Sequence, residues 1–348
     1  MEKLQIQKFG ITKDGSKPYL YKMKNDAGME VQVSDFGATL VNVTVLDQDK
    51  NPVEVVLGYE DAAGYENGTA AIGAIVGRNA NRIGGACVTI NGIDYKLAEN
   101  DGKNNLHSGP DVYQKRMWRV VENGDDHVTF LLHSPDGDQG YPGALDMKVT
   151  YTLDEENGLT IHYEAVPDQD TVINMTNHSY FNLNGHKSGS VLHHRMQLLS
   201  DAFTPADAQS IPTGEVCSVD GTPMDFRSTK ELGAEIDAAY EPLILGNGYD
   251  PNWVLKNEGR FDKVAEVTGD ESGIVMEVWT DRPGVQVYTA NFLENEAGRN
   301  GAVYQKRDAV CLETQNYPDA VHQKNFPEAI CKKGETYDTK TAYRFHIE

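Results

Sequence analysis

Long apolar runs are missing from these 348 residues: no stretch approaches the length that crosses a bilayer. Basic residues are also in short supply, with 31 Lys and Arg against 53 Asp and Glu, a formal net charge of −22. Such a surface repels phosphate backbones and anionic lipid heads, which argues against nucleic-acid and membrane partners. It argues more weakly against a phosphorylated substrate. Cysteine is scarce: Cys87, Cys217, Cys311 and Cys331 form no CxxC pair and match no zinc spacing. The opening MEKLQIQKFG has no apolar leader core, so reduced thiols and a cytoplasmic location are expected. Neither a metal site nor a cofactor is expected.

Helical signals are few. The best is STKELGAEIDAAYEP, where Ser228 and Glu231 have capping-box spacing and Pro242 is expected to stop the helix. A second short helix is expected within residues 61–75. Strand signals dominate instead. Apolar or β-branched runs recur at LVNVTVLD, VEVVLGY, VTFLLHS and GIVMEVWTD. Asn-Gly pairs begin at Asn67, Asn91, Asn123, Asn157, Asn184, Asn247 and Asn300, and this dipeptide suits the positive φ of tight hairpins. ACVTINGIDYKL and KVTYTLDEENGLTIHYEAV read as strand, turn, strand. No Pro- or Ser-rich linker divides the chain. The expectation is an all-β fold, a large antiparallel β-sandwich with a few short helices, forming one domain over 1–348.

Polar side chains gather in a few segments. In TVINMTNHSYFNLNG, alternation puts Asn174, Thr176, His178, Tyr180 and Asn182 on one strand face. Two readings fit that face: the floor of a groove for a hydroxyl-rich ligand, or an ordinary solvated face. In AVCLETQNYPDA, Cys311, Glu313, Gln315 and Tyr317 share a face, and Glu313 alone would pass for a surface acid. GRNANRIGG carries Arg78 and Arg82 among Asn and Gly, a loop able to offer forked donors to oxygen atoms or to serve structure alone. It fits neither Walker A nor GxGxxG. NNLHSGP holds His107 in a turn, and GNGYDPNW holds Asp250 after a Gly-rich turn.

Taken together, GRNANRI, NNLHSGP, NHSYFNL, GYD and ETQNYPDA resemble the signature segments of the galactose mutarotase (aldose 1-epimerase) family, in that family's order. The resemblance implies a large antiparallel sandwich. It implies Glu313 as general base, His178 as general acid, and His107, Arg78 and Asp250 as groups that hold the sugar. Asn79, in the same motif, is implied as a further substrate-binding residue, and Arg82 lies there with its role open. The implied reaction interconverts the α and β anomers of a free hexose, galactose first and glucose next. The implied partner is a small monosaccharide; a monomer or homodimer is expected, a choice that the resemblance does not fix.

That reaction removes the C1 hydroxyl proton, gives a proton to the ring oxygen, breaks C1–O5 and recloses on the other face. It needs one base and one acid. A carboxylate and an imidazolium supply them, and the acidic excess is expected to favour the charged imidazole. Phe292 and Trp279 are candidates for stacking on the sugar, with core packing as the alternative. The rival readings are a hexose-6-phosphate 1-epimerase, a non-catalytic sugar-binding module on the same fold, and a two-carboxylate glycoside hydrolase.

Overall fold

A computed structural model describes residues 4–348. Strands carry the architecture, and the two α-helices among the described residues, Ala62–Asn67 and Glu241–Gly246, have six residues each. The largest sheet has nine antiparallel strands. Their spatial order is Arg119–Asn123, His127–Ser134, Leu145–Leu153, Gly158–Pro167, Tyr337–Ile347, Ile274–Thr280, Asp262–Thr268, Arg195–Leu198 and Lys230–Glu231. A five-stranded meander, Leu4–Lys8 through Pro52–Glu54, forms a second sheet. A third orders Cys217–Ser218, Ala202–Thr204, Asn252–Val254, Gly284–Tyr288 and Cys311–Gln315.

Period-two patterning explains the layers. Leu145, Met147, Val149, Tyr151 and Leu153 are buried while the residues between them are not. One apolar cluster takes side chains from all three sheets, among them Val31, Val43, Met147, Tyr151, Val285 and Leu312. At its centre the Phe181 and Tyr343 rings lie 4.8 Å apart, and Tyr343 donates a hydrogen bond to the Leu312 carbonyl. The third sheet is thereby fixed against the nine-stranded one.

The two predicted hairpins form as Cys87–Ile90 with Ile93–Lys96 and Leu145–Leu153 with Gly158–Pro167. Asn91 and Asn157 take positive φ at their turns. The short helix expected within 61–75 is Ala62–Asn67, capped by Asp61, whose side chain accepts from the Gly64 N–H. The helix expected from Ser228 does not form. Lys230–Glu231 instead pairs with Arg195–Met196 as an edge strand. Pro242 sits in the first turn of Glu241–Gly246, where its missing N–H costs nothing, so it starts a helix rather than stopping one.

Candidate active site

Strand Cys311–Gln315 is buried along its whole length. Leu312 and Thr314 face the nine-stranded sheet, Thr314 through a hydroxyl–hydroxyl hydrogen bond to Thr341. Alternation therefore sends Glu313 to the opposite side. There it lines a cavity of about 350 Å³ together with Asn81, Arg82, His107, His178, Tyr180, Asp250, Gln286, Tyr288 and Phe292. Segments far apart in the chain supply this lining, and the sheet register sets their alignment. Gln286 pairs directly with Glu313 across adjacent strands.

His178 ends the short strand Thr176–His178. Its Nε2 lies 3.5 Å from Glu313 Oε1, and both side chains are almost fully buried. The imidazole belongs to an aromatic cluster: Tyr180 stacks on it at 5.1 Å, and Tyr288 meets it edge-on at 6.1 Å. The Tyr180 hydroxyl is anchored on the Ala70 carbonyl. His178 Nδ1 and Glu313 Oε2 have no hydrogen-bond partner among the described residues. Buried polar atoms are rarely left so, and each adds to the cost of keeping this pair out of water.

His107 approaches from a turn whose residues His107 and Ser108 both take positive φ. The Asn81 backbone N–H donates to His107 Nδ1 at 3.1 Å, and the His107 N–H donates to the Asn81 carbonyl at 3.1 Å. An accepting Nδ1 puts the ring proton on Nε2, a neutral donor. Burial, with His178 and Arg82 nearby, pushes the His107 pKa well below the ordinary histidine value and keeps that tautomer. Arg82 is held by its Nε at 2.7 Å from Asp101 Oδ2. Opposite, Gln286 Nε2 donates to the Asp250 carbonyl at 2.5 Å and to Asp250 Oδ1 at 3.0 Å.

Two sugar-holding candidates from the sequence are placed elsewhere. Arg78 is fully buried and does not line the cavity. Its guanidinium donates to the carbonyls of Pro142 and Gly143 and to the Ser134 hydroxyl, at 3.0, 2.9 and 2.5 Å. It stitches loops behind the site. Asn79 likewise faces away: its N–H donates to Ser108 Oγ at 2.7 Å, and its amide donates to the Ala80 carbonyl. That contact fixes the His107–Ser108 turn. Asn81, Arg82 and Gln286 take the lining positions instead. Trp279 lies outside the cavity, under the Arg344 guanidinium at 4.4 Å. Phe292 stands at the mouth, 67% exposed, its ring stacked on Tyr288 at 6.3 Å.

The polar strand face splits the same way. His178 and Tyr180 reach the cavity, but Asn174 accepts from the Asn316 N–H and Asn182 donates to the Gly189 and Asp308 carbonyls. Those two asparagines hold loops together.

Burial governs the electrostatics. It pushes Glu313 well above the usual carboxylate range, Asp250 adding to the shift and Arg82 opposing it. It lifts Asp250 to about 6 against the Gln286 hydrogen bond and the Arg82 charge, and it lowers His178 to about 4. The acidic excess of the whole chain therefore does not hold the His178 imidazole charged in the empty site: local desolvation outweighs the distant field. Among the described residues no group of three or more His, Cys, Asp or Glu is arranged to hold a metal ion. The four cysteines are free.

A stacked antiparallel scaffold whose cleft pairs a buried carboxylate with a buried imidazole defines an all-β protein with an enzyme-like polar site. Residues 19–344 match the family model described as aldose 1-epimerase. Galactose mutarotases of Bos taurus and Homo sapiens are 42% and 41% identical over 330 residues, 94% of this chain and 94% of each relative. The aldose 1-epimerase of Escherichia coli (strain K12) is 36% identical over 341 residues, 97% of this chain and 98% of the relative. The crystal structure of galactose 1-epimerase from Lactobacillus acidophilus superposes with a TM-score of 0.87 at 26% identity, covering 100% of this chain and 99% of that one. The chain belongs to the aldose 1-epimerase family.

Proposed function

We propose that this isomerase interconverts the anomers of free hexoses, galactose before glucose, with Glu313 and His178 carrying the proton transfers. Glu313 takes the C1 hydroxyl proton and His178 protonates the ring oxygen. The observation that carries the reading is the buried pair itself, 3.5 Å apart in the lining of a polar cavity. His107, Arg82, Asn81, Asp250 and Gln286 hold the hydroxyls.

Burial fits the chemistry of the open chain. When the ring opens, Glu313 has gained a proton and His178 has lost one, so both are neutral. The low-dielectric pocket favours that uncharged pair. It stabilises the protonation state that accompanies the free aldehyde and favours the same neutral pair at rest. Turnover therefore begins when the shared proton passes from Glu313 to His178 across their 3.5 Å contact, and reclosure on the other face returns both protons.

A hexose 6-phosphate suits this cavity poorly. Glu294, Glu296, Asp250 and Glu313 line it against one guanidinium, Arg82, which is already paired with Asp101. A single domain over 1–348, acting in a thiol-reducing compartment such as the cytoplasm, accords with the shared core and the free cysteines. The test is to dissolve α-D-galactose afresh and follow its optical rotation with and without protein. Faster decay to equilibrium with the protein supports the reading. A spontaneous rate unchanged for every free aldose sinks it.

A further inference from the structure

Gln315 does not line the cavity, is fully buried, and lies two residues beyond Glu313 on the same strand face. Its register partner is Gly284. A Cβ on that glycine would lie 2.4 Å from Asn252 Oδ1 and 2.9 Å from the Tyr317 ring. The missing side chain lets those groups close in around the strand pair. Gln315 reaches diagonally to the next position on the partner strand facing the same way, Gln286, and its Nε2 donates to Gln286 Oε1 at 3.3 Å.

The direction of that bond follows from the far end of the chain of groups. Asp250 offers Gln286 only acceptors, a carbonyl and a carboxylate oxygen, so the Gln286 NH₂ must face Asp250. The Gln286 oxygen then points back and needs a donor, which Gln315 supplies. In return, Gln315 Oε1 has no partner among the described residues, although the residue is fully buried. An apolar side chain of the same length would avoid that penalty. Stability alone does not account for a glutamine here.

We infer that Gln315 is a positioning residue which, through the Gln286 amide, orients the Asp250 carboxylate on the sugar-holding wall. The inference rests on the sugar-binding reading of the cavity given above. Gln315 is linked to the wall that holds hydroxyls rather than to the His178–Glu313 pair. Its loss should therefore weaken sugar binding and leave the proton transfers largely intact.

The test is Gln315→Met in the full chain, assayed by polarimetry with galactose and by calorimetric binding of galactose. Expected is a KM and a Kd about tenfold higher, the weight of one hydrogen bond to a charged group, with kcat within about twofold. Gln286→Ala combined with Gln315→Met should be no weaker than Gln286→Ala alone, since the second change acts only through the first. Gln315→Glu is a second probe of similar shape. Ionised, it cannot donate to Gln286 Oε1; protonated, it can, so its KM relative to wild type at the same pH should recover as pH falls, while that of Gln315→Met does not. An unchanged KM in Gln315→Met, additive losses in the double variant, or equal falls in kcat and thermal stability would each overturn the assignment. A wild-type protein that neither binds galactose nor speeds its mutarotation defeats the functional reading instead, a result separate from any of these.

Discussion

His178 Nε2 lies 3.5 Å from Glu313 Oε1, while His178 Nδ1 and Glu313 Oε2, the other polar atom of each group, have no partner among the described residues. A fold that leaves two such atoms buried and unpaired carries an unfavourable term at this pair. The same burial that strains the empty site removes competing water from the proton transfers.

Glu313→Gln keeps the shape and removes the base. Mutarotation of galactose should fall by about a thousandfold relative to wild type, the usual range for a positioned acid or base. The melting temperature should hold or rise, because the variant no longer buries an ionisable carboxyl beside Asp250. Polarimetry and thermal unfolding on the same preparation check both halves. A variant as active as wild type would remove Glu313 from the mechanism.

The pH profile follows from the shared proton. One proton on the pair supports turnover, whichever partner holds it at rest. With His178 lowered to about 4, the acid limb should fall near that value, where a second proton arrives and the base is lost. Glu313 lies well above the usual carboxylate range, so the alkaline limb belongs to the loss of the last proton and of the acid with it. Between the limbs kcat should be level. Asp250, raised to about 6, should appear in kcat/KM of the free enzyme as a step toward tighter sugar capture once ionised. Initial rates across pH at saturating and limiting galactose separate the two. An acid limb near the ordinary histidine value would show that His178 is not desolvated as described.

Arg78 and Arg82 should fail in different ways. Arg78→Met leaves the Pro142 and Gly143 carbonyls and the Ser134 hydroxyl short of a buried donor, a loss of roughly 3 kcal/mol or more of stability. Arg82→Met frees a partly exposed Asp101, which water can solvate, so stability should change by less than about 1 kcal/mol. Its cost should appear as a higher KM for galactose. Chemical denaturation and steady-state kinetics give the two readouts, and the reverse pattern would exchange the roles of the two arginines.

The difference between those arginines also marks where the sequence stopped being informative. A four-residue spacing predicts a shared face only in a regular helix or strand. In the irregular segment GRNANRI it says nothing about facing, and tertiary hydrogen bonds turned Arg78 inward and Arg82 toward the cavity. Strand alternation was more faithful: it put Glu313 and Gln315 on one side and Leu312 on the other, as found. The capping-box spacing of Ser228 and Glu231 lost to pairing with Arg195–Met196, a long-range contact that local propensity does not encode. Gln286 went unnoticed although its signal was present. It is a lone amide between Val285 and Val287 in a buried strand, a place where a polar side chain needs a reason.

Phe292 and Trp279, paired as stacking candidates by the sequence, should separate cleanly. Phe292 is 67% exposed at the cavity mouth, its N–H bonded to the Tyr288 hydroxyl and its ring stacked on Tyr288. Exposed apolar surface fixed beside a polar cleft gains by covering the CH face of a pyranose. Phe292→Ala should therefore raise KM several-fold, by the ~0.5–1.5 kcal/mol of one ring contact, with kcat and melting temperature nearly unchanged. Trp279 packs under Arg344 and donates its indole N–H to Glu277, away from the cavity lining. Trp279→Ala should lower the melting temperature and leave KM alone. If the tryptophan change raised KM at constant stability while the phenylalanine change did nothing, the sugar would have to enter by a different face of the molecule.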